Sequence, residues 1–215
     1  MSEETFTPAL GRLAPARFFD YVVAMTRERL WRSLTVMHLA PRPGDAILDV
    51  GCGTGSLALL AARVEPQATV AGLDPDPEIL AVARDKDTQG RVRWLTGMGD
   101  DLVASVGAES MDGVMSSLVL HQCPMDVKRA ILASMFAVLR PGGRLVITDF
   151  GLQRTPLMRL AFRFVQFADG KTDTQPNADG VLPELISAAG FTDVREADLV
   201  STINGSISIY VARKR

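Results

Sequence analysis

The run Ile47-Leu48-Asp49-Val50-Gly51-Cys52-Gly53-Thr54-Gly55-Ser56-Leu57 sets an apolar, strand-like stretch against three glycines at alternate positions, followed by helix-forming residues. Alternate glycines leave no Cβ atoms on the ligand side of a turn, so a ligand can lie against bare backbone. Amides at the start of the following helix favour a carboxylate there. The next strand-like run ends in Leu73-Asp74-Pro75, and an acid at the end of a second strand is how nucleoside-binding α/β folds hold ribose hydroxyls. Together these features predict a nucleoside cofactor. The plainer alternative is a tight strand-to-helix turn, with Asp74 capping the next helix; a three-glycine loop by itself does not exclude it.

Two further groups could move a proton. His121, one of only two histidines, follows Ser116-Ser117-Leu118 and could accept a proton from a hydroxyl or an acidic carbon as a neutral imidazole. It could equally cap the next helix or brace its loop. Asp149, at the end of a later strand-like run, is a second candidate for a base or an acceptor contact. His38 reads as structural and Cys52 as a small loop residue. Cys52 and Cys123 fit no zinc or CxxC spacing, so neither a disulfide scaffold nor a metal site is expected.

The elements that must position these residues follow from hydrophobic periodicity. Strands are predicted at Ala46–Val50, Thr69–Leu73, Val92–Leu95, Gly113–Ser116 and Arg144–Thr148. Helices are predicted over Ser56–Val64, Pro77–Arg84 and about Met125–Leu139, with one or two more between Arg17 and Ala40. The helix from Met125 is expected to close at Arg140-Pro141-Gly142-Gly143. Alternation of strand and helix is the pattern of a parallel sheet covered on both faces. It breaks at the end, where Asp193–Val200 and Ser206–Ala212 flank Asn204-Gly205, a strong hairpin signal. The expected fold is therefore α/β: a Rossmann-like, mostly parallel seven-stranded sheet with helices on both faces and a C-terminal antiparallel hairpin.

In its motifs the chain resembles the class I S-adenosylmethionine-dependent methyltransferases, particularly the ubiquinone/menaquinone-biosynthesis branch. The resemblance rests on Leu48 to Gly55, Gly72 to Pro75, Asp112 to His121, Leu139 to Leu145 and Gly190-Phe191. The third glycine comes one position earlier than in dinucleotide loops, which argues against a nicotinamide cofactor. The resemblance implies that Gly51, Cys52 and Gly53 lie against the methionine part of S-adenosylmethionine and that Gly55 completes the loop. It places Asp49 near the ammonium group and Asp74, beside Pro75, on the ribose. Gly97 to Leu102 matches the adenine turn, with Met98 where many relatives carry Asp. Adenine is thus expected on Met98 and Gly99, its amino group meeting backbone or Asp100. Asp100 and Asp101 read equally well as a solvated helix start. Ser117 is placed at the methyl end, S-adenosyl-L-homocysteine being the product.

The resemblance also implies a single domain: a helical lid over 1–43, a cofactor-binding core over 44–150, an insertion capping the substrate over 151–178, and a helix with hairpin over 179–215. Phe19 and Tyr21 in the lid and Phe164 in the insertion are candidate substrate contacts. Between Thr155 and Asp169, Leu157, Leu160, Phe164 and Phe167 share one helical stripe, with Arg159 and Arg163 on another side; such a stripe more often packs into a core than lines a pocket. Above the crevice, aromatic residues suit an apolar or aromatic small-molecule acceptor.

The chain has 215 residues, 47% hydrophobic, and a net charge of −2, which disfavours a polyanionic partner. Nucleic-acid binding is not expected, and Ser116-Ser117-Leu118-Val119 lacks the Pro-Pro-aromatic motif of amino-directed nucleic-acid enzymes. No apolar run spans a membrane, Arg154, Arg159 and Arg163 are too few for stable membrane binding, and Met1-Ser2-Glu3-Glu4 carries no signal-peptide pattern. A cytoplasmic protein is expected, with its oligomeric state and the atom methylated left open. A cofactor-binding module without turnover and an RNA-directed methyltransferase are the rival readings.

Overall fold

The computed structural model describes residues 27–215; Phe19 and Tyr21 of the expected lid lie outside the described residues. Helix α1 (Glu28–Leu39) leads into β1 (Ala46–Val50), α2 (Ser56–Val64), β2 (Thr69–Asp74), α3 (Pro77–Lys86), β3 (Val92–Thr96), α4 (Leu102–Val106) and β4 (Met111–Ser117). A short 3₁₀ turn (Leu120–Gln122) precedes α5 (Met125–Val138), β5 (Leu139–Phe150), α6 (Pro156–Asp169), α7 (Lys171–Ala178), α8 (Leu182–Ala188), β6 (Thr192–Thr202) and β7 (Gly205–Arg213). The strands form one sheet in the order β3-β2-β1-β4-β5-β7-β6. Strands β1 to β5 pair in parallel, and β7 runs antiparallel to both β5 and β6. The fold is the Rossmann-like sheet with a C-terminal hairpin that the sequence pattern predicts.

Side chains alternate across a strand, and that alternation divides the core. Leu48, Val50, Leu145 and Ile147 pack under α4, α5 and α8, whereas their neighbours Ile47 and Val146 pack under α1 and α2. A third cluster joins Trp31 of α1 to Phe150, Val200 and Ile207 through Phe162 and Val165 of α6. Thr35 of α1 meets Thr148 of β5 hydroxyl to hydroxyl at 2.6 Å, which fixes α1 across the strand ends.

Two local expectations change. Helix α5 stops at Val138, and the backbone is already extended at Leu139, so Arg140 to Gly143 open a longer β5. Its pairing with β4 absorbs an irregularity between Met111 and Gly113. The stripe on α6 is not core: Leu157, Leu160, Phe164 and Phe167 are exposed, and the buried face is Phe162 and Val165. In the order β2-β1-β4-β5, neighbouring strands depart from β1 in opposite directions. The crevice beyond the carboxyl ends of β1 and β4 is then the place where an open α/β sheet binds a ligand.

Candidate active site

A cleft of about 1160 Å³, counted to its open mouth, fills this crevice. One wall is backbone. The amides of Gly51 and Cys52 donate to the Leu73 carbonyl at 2.8 and 3.0 Å, tying the loop after β1 to the end of β2. Asp74 completes the tie: one carboxylate oxygen accepts from the Gly53 amide at 2.9 Å and the other from the Asp76 amide at 3.0 Å. Each oxygen accepts only one of these bonds and Asp74 lines the cleft, so the carboxylate has acceptor capacity left for two hydroxyls without breaking the loop. Burial raises the pKa of Asp74, and the two amides oppose that rise. The capping side chain of α3 is Asp76, which accepts from the amides of Glu78 and Ile79; Asp74 is left to face the cleft.

Two of the loop's glycines do different work. Gly53 has φ +52, and a Cβ there would meet nothing within 4 Å, so its open side is cradle. Gly55 has φ +78, and a Cβ there would stand 2.3 Å from the Trp94 ring and 2.9 Å from Ala83. Gly55 therefore serves packing behind the loop and does not line the cleft, contrary to the ligand contact expected of it.

Asp49 lies beneath the loop, fully buried, with neither carboxylate oxygen hydrogen-bonded. Burial pushes its pKa up to about 7, with Arg32 and the Ala58 amide pulling it down and Asp74 adding to the rise. With only the Arg32 charge and a distant Ala58 amide to offset its burial, this carboxylate is costly, and a ligand's ammonium group would relieve it. Cys52 and Cys123 both line the cleft, but burial drives both thiol pKa values upward, that of Cys123 to about 11. Neither is an activated nucleophile.

The other wall runs from Ser117 to Pro124, past Leu118, which is held at φ +55. Its support is ionic. One oxygen of Asp149 accepts from the amides of Leu120 and His121 at 2.7 and 3.3 Å; the other meets His121 Nδ1 and the Phe150 amide, both at 2.7 Å. His121 Nε2 faces Asp169, at the end of α6, at 3.4 Å, and its ring stands edge-on to Phe150. Burial opposes charging of His121, yet Asp149 and Asp169 outweigh it and raise the pKa to about 9. Lys128 adds a clasp, its Nζ donating to the carbonyls of Cys123 and, at 2.8 Å, Asp173. The expected base roles of His121 and Asp149 are corrected accordingly: both are buried, neither lines the cleft, and the imidazolium has no proton acceptor site left.

Of the residues predicted from sequence, the cleft gathers Gly51, Cys52, Gly53, Asp74, Pro75, Met98, Gly99 and Ser117. Asp49 sits one layer below, and Asp100 is exposed outside it. Phe164 points away from it to solvent. Sequence reasoning missed Trp31 and Arg32 of α1, Ile79, Val127 and Ile131, which give the cleft much of its apolar surface. Helical spacing from Trp31 to the buried Thr35 was the available signal. Among the described residues no cluster of His, Cys, Asp or Glu could hold a metal ion.

This geometry defines a nucleoside-binding α/β protein of the class whose ligand carries ribose and an amino-acid head, and comparison with known proteins supplies the family. A methyltransferase-domain pattern matches residues 47–143. An uncharacterized methyltransferase of Synechocystis sp. is 30% identical over 79% of this chain and 77% of its own length. A ubiquinone/menaquinone biosynthesis C-methyltransferase of Syntrophotalea carbinolica is 28% identical over 94% and 91%. A 2-phytyl-1,4-naphtoquinone methyltransferase of Thermosynechococcus vestitus is 37% identical, but the match spans 60% of this chain and only 56% of that protein. The phosphoethanolamine N-methyltransferase 2 of Haemonchus contortus, solved with S-adenosyl-L-methionine, shares the fold at a TM-score of 0.71 and 16% identity, covering 93% of this chain and 56% of that one. The chain belongs to the S-adenosylmethionine-dependent methyltransferases and resembles their ubiquinone/menaquinone-biosynthesis branch.

Proposed function

We propose that this protein transfers a methyl group from S-adenosylmethionine to a ring carbon of a small, quinone-type aromatic acceptor in its reduced, hydroxylated form. The observation that carries the cofactor half is the pair of buried acids around the glycine loop: Asp74, which lines the cleft with each oxygen accepting a single amide, and Asp49, fully buried with neither oxygen in a hydrogen bond. These residues fit a ligand with a ribose diol and an ammonium group. Val50, Leu73, Ile79, Met98 and Ile131 offer an apolar slot for a purine. When bound, the cofactor supplies an electrophilic methyl on a sulfonium, an already activated leaving group.

The chain's own task is then to orient the acceptor and exclude water. Trp31, Leu118 and Val127 supply apolar and aromatic surface for a flat ring. The chain provides no general base from His121, so the acceptor's own ionised hydroxyl would make the ring carbon nucleophilic: the C–C bond forms as the methyl–sulfur bond breaks, S-adenosylhomocysteine leaves, and the ring-carbon proton ends on the phenolate oxygen as the ring regains aromaticity. The names of the quinone-directed relatives support both the ring and the carbon. Oxygen or nitrogen methylation would use the same cleft.

The deciding experiment incubates the protein with methyl-labelled cofactor and reduced naphthoquinols or benzoquinols, against RNA as control. Labelled ring-methylated quinol is expected. Label only in RNA would install the RNA-directed reading, and tight binding of S-adenosylmethionine without turnover in any cell extract would install the binding-module reading.

A further inference from the structure

The outward face of α6 is the least accounted-for surface of the protein. Leu157, Leu160, Phe164 and Phe167 are 74%, 59%, 60% and 91% exposed, and at about 100° per residue they form one stripe roughly 80° wide. Scattered exposed apolar residues need no explanation, but a contiguous stripe on one helix does. The same helix turns Phe162 and Val165 inward, into the cluster that holds Trp31 and touches Leu118, and both of those line the cleft. The stripe is thus one helix diameter from the acceptor wall.

Charge selects the occupant. The chain is net acidic, yet between residues 151 and 171 four cations, Arg154, Arg159, Arg163 and Lys171, stand against one carboxylate, Asp169. Asp169 is turned inward onto His121. Arg154 pairs with Glu196 and Arg159 gives its Nε to the Gln153 carbonyl, while the side chains of Arg163 and Lys171 make no hydrogen bond or ion pair among the described residues. A helix face with large exposed apolar side chains and a basic flank matches the interfacial layer of an anionic bilayer, where such a helix lies with its apolar side in the headgroup region.

We propose that α6 docks this protein weakly and reversibly on anionic lipid surfaces, presenting the cleft to acceptors dissolved in the membrane. The docking is independent of the reaction. Only the benefit to a lipid-tailed acceptor rests on the function proposed above, so the test is read without turnover. With few cations and no lipid anchor, the contact is salt-sensitive and far from permanent.

The test is co-sedimentation of the full chain with vesicles of phosphatidylcholine alone and of phosphatidylcholine with one-third phosphatidylglycerol. Binding is expected to the anionic vesicles only, falling at least about fivefold from about 0.05 M to about 0.5 M salt as screening shortens. The double substitution Phe164→Ser and Phe167→Ser should weaken it about tenfold or more with an unchanged melting temperature, since both side chains are exposed, and Arg163→Glu should weaken it less. Absence of binding to anionic vesicles at low salt overturns the proposal, as does full binding by the double variant. A concentration-dependent dimer that the double variant abolishes, without vesicle binding, would hand the face to a second copy instead.

Discussion

The two walls of the cleft are built by opposite means. The β1–β2 wall is peptide backbone, held by amide-to-carbonyl bonds at Leu73 and by Asp74, and its residues lie within one continuous stretch from Asp49 to Asp76. The wall from Ser117 to Pro124 is held by side chains drawn from distant points: Asp149 on β5, Asp169 on α6, and Lys128 of α5 reaching Asp173 on α7. A backbone wall depends on few side chains beyond its glycines, Asp74 and the Asp49 beneath it. An ion-pair wall is sensitive to charge and to pH, and it links the cleft to the cap of α6 and α7.

The sharpest way to break the first wall is through its glycines. Gly55→Ala must force a methyl against Trp94 and Ala83 at a left-handed φ, and the overpacking and backbone strain together should cost about 4 kcal/mol. Gly53→Ala meets open space, so its cost should stay near the backbone strain of about 1 kcal/mol. Its cofactor affinity should nevertheless fall about a hundredfold, because the methyl occupies the cradle. Thermal melts with calorimetric titration of S-adenosylhomocysteine separate the two. Equal melting temperatures for the two variants would erase the distinction between packing and cradle glycine.

The second wall breaks at His121. Its folded pKa is raised from 6.5 to about 9, so its stabilising contribution is complete below about pH 6.5 and is lost as pH rises through about 9. His121→Asn removes that dependence and leaves two carboxylates without their cation, at a cost of about 3 kcal/mol at neutral pH. As a positioning residue it should raise the acceptor KM several-fold with kcat little changed. A general base would instead show its loss in kcat, by about 10² to 10⁴; that outcome, with stability unchanged between pH 6 and 9, would restore His121 to catalysis.

The contrast between the walls also explains what the sequence disclosed. Glycine spacing, the acid ending β2 and the period-2 strands are local features, and they specified the cleft's backbone half and the sheet, including the hairpin at Asn204-Gly205. The pairing of His121 with Asp149 and Asp169 spans up to 48 positions of sequence, and no local pattern encodes it. His121 therefore read as a candidate base when its surroundings make it a brace. The α6 stripe failed differently: periodicity identifies an apolar face but not what lies against it, and here nothing in the described chain does. Trp31 and Arg32 were missed because the first helices read as a lid closing from above, whereas α1 is docked on β5 through Thr35 and Thr148.

Asp49 ties the two kinds of wall together, a charged side chain under the backbone wall. Its folded pKa is raised from 3.8 to about 7, so the fold is penalised progressively as pH rises from about 4 through 7, with the whole penalty present above that. Asp49→Asn should therefore stabilise the protein without ligand above pH 7, by about 2 kcal/mol after allowing for an imperfectly satisfied amide. Affinity for the cofactor should move the other way, about tenfold weaker in the variant. In the unaltered protein affinity should rise between pH 6 and 8 as the carboxylate ionises. Titrations at both pH values check this, and a variant binding as tightly as the parent would remove the ammonium from Asp49.

The smallest effect is expected where sequence and geometry part company at the adenine turn. Asp100 stands directly after Gly99, in the register where an acid could meet a purine amino group, but its side chain is exposed and does not line the cleft, whereas Met98 and Gly99 do. Leu102, the first residue of α4, has its amide taken by the Ser134 hydroxyl at 2.8 Å, so the start of that helix is satisfied without Asp100. Asp100→Asn should change neither stability by more than about 0.5 kcal/mol nor cofactor affinity by more than about twofold. Met98→Asp, which places an acid where the family resemblance expects one, should instead alter affinity, because the Met98 side chain meets the cleft. If Asp100→Asn costs tenfold in affinity while Met98→Asp changes nothing, the turn closes over the purine on binding, and the backbone wall extends one residue further than its ligand-free geometry shows.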